Sequence, residues 1–340
     1  MPLRIGLVAL ASLFFLAAVP VIAPAQTLKD IQARGNVTCG VSQGLPGFSE
    51  KNAKGQWAGL DVDFCRALAA AIFNDVTKVT FVQLSAEERF EALRAKKIDV
   101  LSRNSTWTMG RETRLGLIFA AVYYYDGQGF MVRKALKIDS ALALADKSIC
   151  VKSGTTTELN LADYFRNNLL TYKVVKFPSA EEALKAYMSG RCDALTSDVS
   201  QLYALRSELK APRDHIILPD VISKEPLGPV VRQDDFQWLN IVKWTQFAML
   251  DAEELGVDRK NIDQALKSKK PSVRRLLGLE GDFGEQAGLT KDWAARIIRL
   301  VGNYADVYER NVGTGSKLAI PRGLNSLWDR GGIQYAPPIR

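Results

Sequence analysis

One twenty-residue pattern occurs twice in this chain. Residues 85–104 read SAEERFEALRAKKIDVLSRN and residues 179–198 read SAEEALKAYMSGRCDALTSD, with seven identical positions and no gap at an offset of 94 residues. Each copy opens with the S-x-x-E pattern of a helical capping box and ends in a short apolar run typical of a strand. We therefore predict two copies of one helix–turn–strand unit, in two similar lobes, with the strands ending at Asn104 and Asp198. Chance convergence is the alternative, since such units are common.

The first 25 residues differ from the rest of the chain. A single basic residue, Arg4, precedes the apolar stretch 5–22, and Ala23-Pro24-Ala25 has the small-x-small form of a cleavage site. This pattern predicts a secretory signal peptide, residues 1–25, that is cut before Gln26. An uncleaved membrane anchor is the alternative. The absence of a cysteine at the cleavage site and of a later 18-residue apolar stretch predicts an exported chain without a lipid anchor.

Composition and charge narrow the class of partner. The chain has 340 residues, enough for two or three domains, and its hydrophobic and charged fractions, 47% and 24%, are those of a globular protein. The formal charge is +8, or +7 without Arg4, and basic residues are interspersed with acidic ones. A mixed, solvated surface is favoured over nucleic-acid binding.

The four cysteines predict disulfides, because the chain is exported and their number is even. Three pairings are possible, and we predict Cys39–Cys65 and Cys150–Cys192 because each bond then stays within one lobe. The spacings contain no C-x-x-C, and one histidine cannot complete a zinc site. Walker and dinucleotide-binding motifs are also absent from the sequence, so no cofactor is expected.

Strands alternate with helices in both halves of the chain, which predicts α/β lobes with parallel sheets. We expect lobe 1 at residues 26–125, lobe 2 at 126–226, and a return to lobe 1 with a C-terminal extension at 227–340, joined by crossing segments near 123–129 and 224–231. The predicted elements are strands at 36–41, 79–82, 148–152, 174–177 and 215–218 and helices at 60–73, 158–167, 199–209, 238–255 and 291–309, the last with Thr290 as N-cap.

The strand ends of the two lobes would face one cleft, because ligands of parallel α/β sheets bind beyond the carboxyl ends of the strands. Asn104 and Asp198 would then lie on opposite walls. Arg111 follows Asn104 closely and can hold a carboxylate bidentately.

The same region offers hydroxyls in Thr106 and an aromatic face in Trp107. The loop 153–157, with Gly154, Thr156 and Thr157, can add hydroxyls and N–H groups at a helix start. Groups that bind a carboxylate, opposite the acid Asp198 that can bind an ammonium, match the two charged ends of a free α-amino acid. The alternatives are an ion pair of Arg111 with Glu112 and an N-cap role for Asp198.

A catalytic pattern also occurs. Residues 40–44 satisfy G-x-S-x-G, but a nucleophile elbow must open a helix directly, and Leu45-Pro46-Gly47 follows instead. The only histidine available as a base is His215. A hydrolase is therefore not favoured.

Three stretches resemble a known family. Residues 59–65, GLDVDFC, resemble the signature of family 3 bacterial extracellular solute-binding proteins, and residues 102–108, SRNSTWT, with Arg111, and 125–130, YDGQGF, are similar to its general L-amino-acid-binding branch. The resemblance covers the mature chain. It implies a two-lobed periplasmic binding protein of the type 2 architecture, with two crossing hinge segments and a ligand cleft between the lobes. Such a protein would be a monomer that delivers L-amino acids, with broad specificity, to an inner-membrane ABC permease.

The resemblance also implies roles for particular residues. Arg111 would clamp the ligand carboxylate with help from the Thr106 hydroxyl, and the Gly154–Thr157 loop (154–157) would add donors. Asp198 would take the ammonium with the carbonyl of Asn104. Arg89 and Phe48 are candidate contacts for the ligand side chain.

Two alternatives share this architecture. A periplasmic cyclohexadienyl or arogenate dehydratase would need a general acid over the ligand, and no residue marks one. A chemoreceptor could replace the permease as membrane partner, and the sequence does not distinguish these two partners.

Overall fold

A computed structural model describes residues 26–340. The predicted signal peptide, with its cleavage site near Ala25, lies outside the described residues. The strands are β1 (Val37–Val41), β2 (Glu50–Lys51), β3 (Trp57–Ala58), β4 (Val79–Gln83), β5 (Val100–Leu101), β6 (Leu117–Phe119), β7 (Tyr124–Asp126), β8 (Gln128–Arg133), β9 (Ser148–Lys152), β10 (Lys173–Phe177), β11 (Ala194–Asp198), β12 (His215–Ile217), β13 (Glu225–Leu227) and β14 (Val230–Arg232). The α-helices are α1 (Thr27–Arg34), α2 (Leu60–Phe73), α3 (Arg89–Arg94), α4 (Met109–Leu115), α5 (Thr156–Asn167), α6 (Ala180–Met188), α7 (Val199–Ser207), α8 (Phe236–Glu254), α9 (Ile262–Ala265), α10 (Pro271–Leu276), α11 (Phe283–Gln286), α12 (Trp293–Leu300) and α13 (Tyr304–Asn311).

Two five-stranded sheets have the same arrangement. Their strand orders are β4-β1-β5-β14-β6 and β10-β9-β11-β8-β12. In each sheet the first three strands run parallel and the last two are antiparallel to their neighbours. We refer to the parts of the chain that carry these sheets as the first and second lobes. The predicted parallel pairing is confirmed for three strands of each sheet, but the sheets are mixed, because the strand that follows each crossing between lobes enters its sheet antiparallel.

The chain crosses between the lobes twice, and the two crossings pair with each other. The first leads from β6 to β8 and the second from β12 to β14, and between them β7 and β13 form a two-stranded antiparallel sheet. Asn325, from the C-terminal region, exchanges two hydrogen bonds with the backbone of Tyr125, at 2.7 and 3.0 Å. The C-terminal region thus braces one strand of the hinge.

The repeated sequence forms equivalent structures in the two lobes. Ser85 and Ser179 accept from the N–H groups of Glu88 and Glu182, both at 3.1 Å. The aspartate shared by the copies accepts a backbone N–H from the adjacent parallel strand in each lobe: Asp99 from Thr38 of β1 at 2.7 Å and Asp193 from Ser148 of β9 at 2.9 Å. These bonds join the repeat to the neighbouring strand, so the identical aspartate preserves a sheet connection. The helix starts differ, because Ser179 is the N-cap of α6, whereas Ser85 precedes a turn and the N-cap of α3 is Glu88.

Two predicted boundaries were wrong. The first-lobe strand ends at Leu101 rather than Asn104, whose φ of 28° takes it out of the extended conformation. The helix expected at residues 291–309 is two helices, α12 and α13, because Gly302 has a φ of 108° and Asn303 starts a new capping box with Asp306. Asp292, rather than Thr290, is the N-cap of the first of them.

The C-terminal helices complete the first lobe. Helices α8, α12 and α13 share one hydrophobic core with α2 and β1. Trp238 is buried there, and its indole N–H donates to the carbonyl of Asp99 at 2.9 Å. The second lobe has cores on both faces of its sheet. Within residues 26–340, none of the helices combines the length and apolar character that a bilayer crossing requires.

The structure pairs the cysteines as predicted, Cys39 with Cys65 and Cys150 with Cys192. Each bond lies within one lobe. All four cysteines are buried.

We expect replacement of both Cys150 and Cys192 by alanine to lower the free energy of unfolding of the second lobe by about 4 kcal/mol. The bond closes a loop of 42 residues, and without it the unfolded chain gains conformational entropy, which stabilises the unfolded state. Urea unfolding followed by far-UV circular dichroism measures the change. An unchanged midpoint relative to wild type would contradict it.

Candidate functional site

A cavity of about 260 Å³ lies between the two lobes. Both walls contribute polar side chains, and most of the residues predicted from the sequence meet there. The predicted residues that line it are Arg89, Asn104, Thr106, Arg111, Thr156, Thr157 and Asp198. The cavity therefore lies where the strand ends of the two lobes were expected to face each other.

Arg111 is held in place by its own helix. Thr108 is the N-cap of α4 and accepts from the Arg111 N–H, while the guanidinium donates to the carbonyl of Thr106 and lies 5.1 Å from the ring centre of Phe90. The predicted alternative partner, Glu112, instead accepts the Phe119 N–H at 3.2 Å. Burial lowers the pKa of Arg111, partly offset by nearby carboxylates. No ion pair of Arg111 forms among residues 26–340, so its charge is available to a ligand.

Asp198 stands at the N-cap position of α7 without capping it. Its side chain makes no capping hydrogen bond. The helix start is held instead by Asp126, whose carboxylate accepts from both the N–H and the hydroxyl of Ser200. Burial and the nearby carboxylates of Asp126 and Glu225 raise the pKa of Asp198 well above its ordinary value. Within the described part of the chain this carboxyl has no hydrogen-bond partner, so a cation entering the cavity would stabilise its charged form.

The start of α5 forms another part of the second-lobe wall. Thr155 caps the helix by accepting from Glu158 N–H, which leaves the N–H groups of Thr156 and Thr157 in the first turn without helical partners. Such a helix start favours an anion. Gly154 does not take part: its N–H donates to the Glu158 carboxylate at 3.2 Å and it does not line the cavity. The structure therefore places Gly154 beside the cavity rather than in its lining, where its φ of 69° shapes the turn.

Glu225 is a buried residue near the cavity that the sequence analysis missed. It belongs to β13 of the hinge and is 1% exposed. One carboxylate oxygen accepts from the hydroxyls of Thr106, in the first lobe, and Thr156, in the second. The other accepts from Asn160 at 2.7 Å and from Ser223 at 2.8 Å. A single buried carboxylate therefore connects both lobes to the hinge.

This connection changes the role of the two threonines. The hydroxyl oxygens of Thr106 and Thr156 lie 3.3 Å apart, and both protons are directed to Glu225. The Thr106 hydroxyl was expected to help bind the ligand carboxylate, but its proton is not available for that bond. The threonines join the lobes, and the anion donors that remain are Arg111 and the start of α5.

Two predicted contacts lie elsewhere. Phe48 is fully buried, packs edge-on against Tyr124 at 5.4 Å and does not reach the cavity. Trp107 is 38% exposed and stacks on Phe119 at 5.8 Å, outside the cavity lining. The structure therefore does not bring these two rings to the cavity: Phe48 belongs to the core and Trp107 to the outer surface.

Asp61, from the G-L-D signature, supports the wall of the cavity without lining it. Its carboxylate is fully buried, accepts from the Tyr123 hydroxyl at 2.6 Å and from the Asn104 N–H at 3.3 Å. Burial raises the pKa of Asp61, and these hydrogen bonds counteract that effect. Asp61 thereby fixes the left-handed turn at Asn104.

The cavity contains two cations that the sequence analysis did not assign, Arg103 and Lys152. Arg103 directly precedes Asn104, and Lys152 ends the strand β9, so their positions at strand ends could have indicated them. The first-lobe loop Ser42–Leu45 (42–45) also lines the cavity.

The catalytic pattern at residues 40–44 does not form a nucleophile elbow. Ser42 lies in a loop, where its hydroxyl accepts from the Gly44 N–H at 3.4 Å. His215 lies in β12 of the second lobe and hydrogen-bonds the Tyr187 hydroxyl at 2.7 Å. Residues 26–340 contain no group of His, Cys, Asp and Glu side chains arranged to hold a metal ion.

Comparison with known proteins extends this description. The family model of bacterial extracellular solute-binding proteins, family 3, matches residues 37–257. The chain is 57% identical over 320 residues to the general L-amino acid-binding periplasmic protein AapJ of Rhizobium johnstonii, covering 94% of each chain. It is 48% identical over 336 residues to the glutamate/glutamine/aspartate/asparagine-binding protein BztA of Rhodobacter capsulatus, covering 98% of each.

A solved structure is also similar. An ABC transporter periplasmic binding protein from Brucella ovis, with glutathione bound, superposes with a TM-score of 0.91. It is 54% identical and covers 93% of this chain and 100% of its own. The similarity therefore includes the C-terminal helices beyond the matched family region.

Proposed function

Because this chain belongs to the bacterial extracellular solute-binding proteins, family 3, we propose that Arg111 and Asp198 bind the two charged ends of a free L-amino acid. The chain is the amino-acid-binding component of an ABC transporter rather than an enzyme. AapJ and BztA are amino-acid-binding proteins, and the similar Brucella ovis structure is an ABC transporter periplasmic binding protein. It has the two-lobed α/β fold of these proteins.

The observation that carries the proposal is an arginine and an aspartate, both without partners, on opposite walls of the cavity. Arg111 in the first lobe and Asp198 in the second both face the cavity, and neither has an ion-pair partner within residues 26–340. An α-carboxylate at Arg111 and the start of α5, with an α-ammonium at Asp198, would satisfy both. The carbonyl of Asn104 would complete the ammonium site.

Binding of this kind joins the lobes. The ligand would contact residues of both walls, so a bound ligand stabilises the closed arrangement of the lobes. Closure also excludes water from the cavity, which strengthens the ion pairs of the ligand with Arg111 and Asp198. We further propose that the protein acts as a monomer in the periplasm, after cleavage near Ala25, and docks its closed form on an inner-membrane permease complex. The lobe boundaries at residues 125/126 and 226/227 stay a prediction.

We expect several L-amino acids to raise Tm by about 5 °C at a concentration 100 times Kd, since ligand binding at that excess contributes about 2.7 kcal/mol. A thermal-shift screen of the twenty amino acids, on protein refolded to remove co-purified ligand, measures this. The matching D-enantiomers are the control. Absence of any shift would contradict the proposal, and release of an aromatic product from prephenate or arogenate would favour the dehydratase.

A further inference from the structure

Three acidic side chains gather where the second-lobe wall meets the hinge. Asp126 of β7 and Glu225 of β13 lie directly opposite each other in the antiparallel hinge sheet. Asp198 is the cross-strand partner of Gln128, two residues beyond Asp126, and Ser200, two residues beyond Asp198, donates to Asp126. Glu225 is 1% exposed and Asp198 is 6% exposed. Three like charges this close, with little water between them, are unfavourable.

The hydrogen bonds indicate which of the three holds its charge least easily. Asp126 accepts from the Gly127 N–H at 2.9 Å and from both donors of Ser200. Glu225 accepts four hydrogen bonds. The Asp198 carboxyl accepts none from the residues that the structure describes. Because hydrogen bonds to a carboxylate favour its charged form, a proton that enters this cluster binds most favourably at Asp198.

The pKa values of the cluster agree with this distribution. Burial and the charges of Asp126 and Glu225 raise the pKa of Asp198 well above its ordinary value. Burial also raises the pKa of Asp126, to about 6, against the hydrogen bonds that it accepts. Tyr124 and Tyr308 lie near Asp126, but burial raises the pKa of both, so they stay neutral. In mildly acidic solution the cluster therefore carries fewer than three negative charges.

The cations around Asp198 come from both lobes. Arg111 and Arg89 lower the pKa of Asp198, but burial has the larger effect. Arg103 and Lys152 also interact with its charge. Burial, with the charges of Arg103 and Arg89, lowers the pKa of Lys152 to about 7, so Lys152 titrates near neutral pH. An anion that approached Lys152 would cause uptake of a proton, which is opposite in sign to ionisation of Asp198.

We propose that Asp126 and Glu225 are positioning residues that act through Asp198: they keep its carboxyl protonated in the empty cavity, so that the arriving ligand ammonium displaces one proton. The O–H bond of Asp198 breaks, the proton goes to water, and the ammonium keeps all of its own protons. This inference rests on the proposed function, because it assumes that the ammonium binds at Asp198. Binding of an amino acid is then linked to release of a proton.

The linkage sets the direction of the pH dependence. In the empty protein the pKa of Asp198 is raised, whereas a bound ammonium lowers it. Between these two values binding releases a proton, so the affinity falls as the pH falls, by up to about tenfold per pH unit. Above the higher value Asp198 is already charged, and the affinity no longer changes through this group.

Calorimetry of L-glutamine binding at about pH 6 measures the release in two buffers that differ in heat of ionisation, cacodylate and MES. At this pH Lys152 is already largely protonated. We expect wild type to release about one proton per ligand and Asp126→Asn about half a proton or less. Without the like charge of Asp126, Asp198 ionises more readily before the ligand arrives. Asp220→Asn, the same change at a carboxylate that accepts the Ala141 N–H, should match wild type.

The pH profile separates this effect from a structural one. From about pH 6 to about pH 5 the Kd of wild type should rise by up to about tenfold, and that of Asp126→Asn by about threefold or less. Asp126 also holds the start of α7, and loss of that role alone would change Kd by the same factor at both pH values. The ratio of the two Kd values therefore reports the proton.

A second variant keeps the test decisive if Asp126→Asn does not fold. Glu225→Gln removes the other like charge and should also release about half a proton or less, since the number of protons per bound ligand does not depend on the affinity. Binding of L-glutamine without proton release, net proton uptake, or equal release in wild type and the variant would overturn this inference alone. If no L-amino acid binds at all, the proposed function itself is wrong.

Discussion

Replacing Asp198 by asparagine should weaken the binding of every L-amino acid by about 100-fold or more, while the protein stays folded. Removing one member of a buried, hydrogen-bonded ion pair costs about 2–5 kcal/mol, because the ligand ammonium is left without its counter-charge. The unliganded protein loses no such pair, since burial and the nearby carboxylates of Asp126 and Glu225 already disfavour the charged form of Asp198. Calorimetry measures the affinity, and thermal unfolding without ligand measures the stability.

Glu181→Gln is the matched control for this substitution. Glu181 also lines the cavity and undergoes the same change from carboxylate to amide, but it is exposed and paired with Lys185. Its variant should bind as wild type does, because an exposed ion pair contributes little. Asp198→Asn with wild-type affinity, or equal losses in the two variants, would show that the ammonium binds elsewhere.

The sequence predicted the parts of the fold that depend on local pattern. The S-x-x-E boxes, the 14-residue helix α2 and the strand β9 are each specified by neighbouring residues, so their positions could be inferred directly. The antiparallel strands β8 and β14 were not predicted as such, because their direction is set by the path of the chain between lobes. The break before Asn303 was missed because the flanking sequence keeps helical periodicity.

The candidate site shows the same division. Asn104 and Asp198 end the two copies of the repeated unit, and Arg111 follows the first copy closely, so alignment of the copies predicted that they meet at one cleft. Glu225 follows no repeat, and a carboxylate beside a proline in a crossing segment has no local signal of its role. The position of Phe48 in the core could not be predicted, because it depends on contact with Tyr124, which is far away in the sequence.

The two copies of the repeat differ at their last position, which is Asn104 in the first copy and Asp198 in the second. The structure gives a physical reason for this difference. The backbone N–H of Asn104 donates to the Asp61 carboxylate. At the start of α7 the Ser200 N–H donates to Asp126, so the Asp198 carboxylate does not cap the helix. The second copy can therefore present a free carboxyl where the first presents a fixed turn. The two copies have equivalent last positions, and the hydrogen bonds from Ser200 to Asp126 leave the Asp198 carboxyl without a capping role.

Glu225→Gln should weaken the binding of all amino acids by about 10- to 100-fold, although Glu225 does not line the cavity. Its two oxygens accept four hydrogen bonds, and the amide nitrogen of glutamine cannot accept those at its end of the side chain. A hydrogen bond to a charged group contributes about 1.5–3 kcal/mol, so the closed arrangement becomes less populated and the apparent affinity falls with it.

Asp220→Asn is the control for the hinge, because Asp220 lies in the same crossing but accepts only within the second lobe, from the Ala141 N–H at 3.0 Å. Calorimetry gives Kd, and small-angle X-ray scattering with and without saturating ligand gives the extent of closure. We expect unliganded Glu225→Gln to be more open than wild type and to close at saturation. Thr106 and Thr156 belong to different lobes, and both donate to Glu225. Glu225 is therefore coupled to closure through the hydrogen bonds that connect it to both lobes. An unchanged Kd for Glu225→Gln, or the same loss in Asp220→Asn, would mean that this carboxylate stabilises the hinge without controlling it.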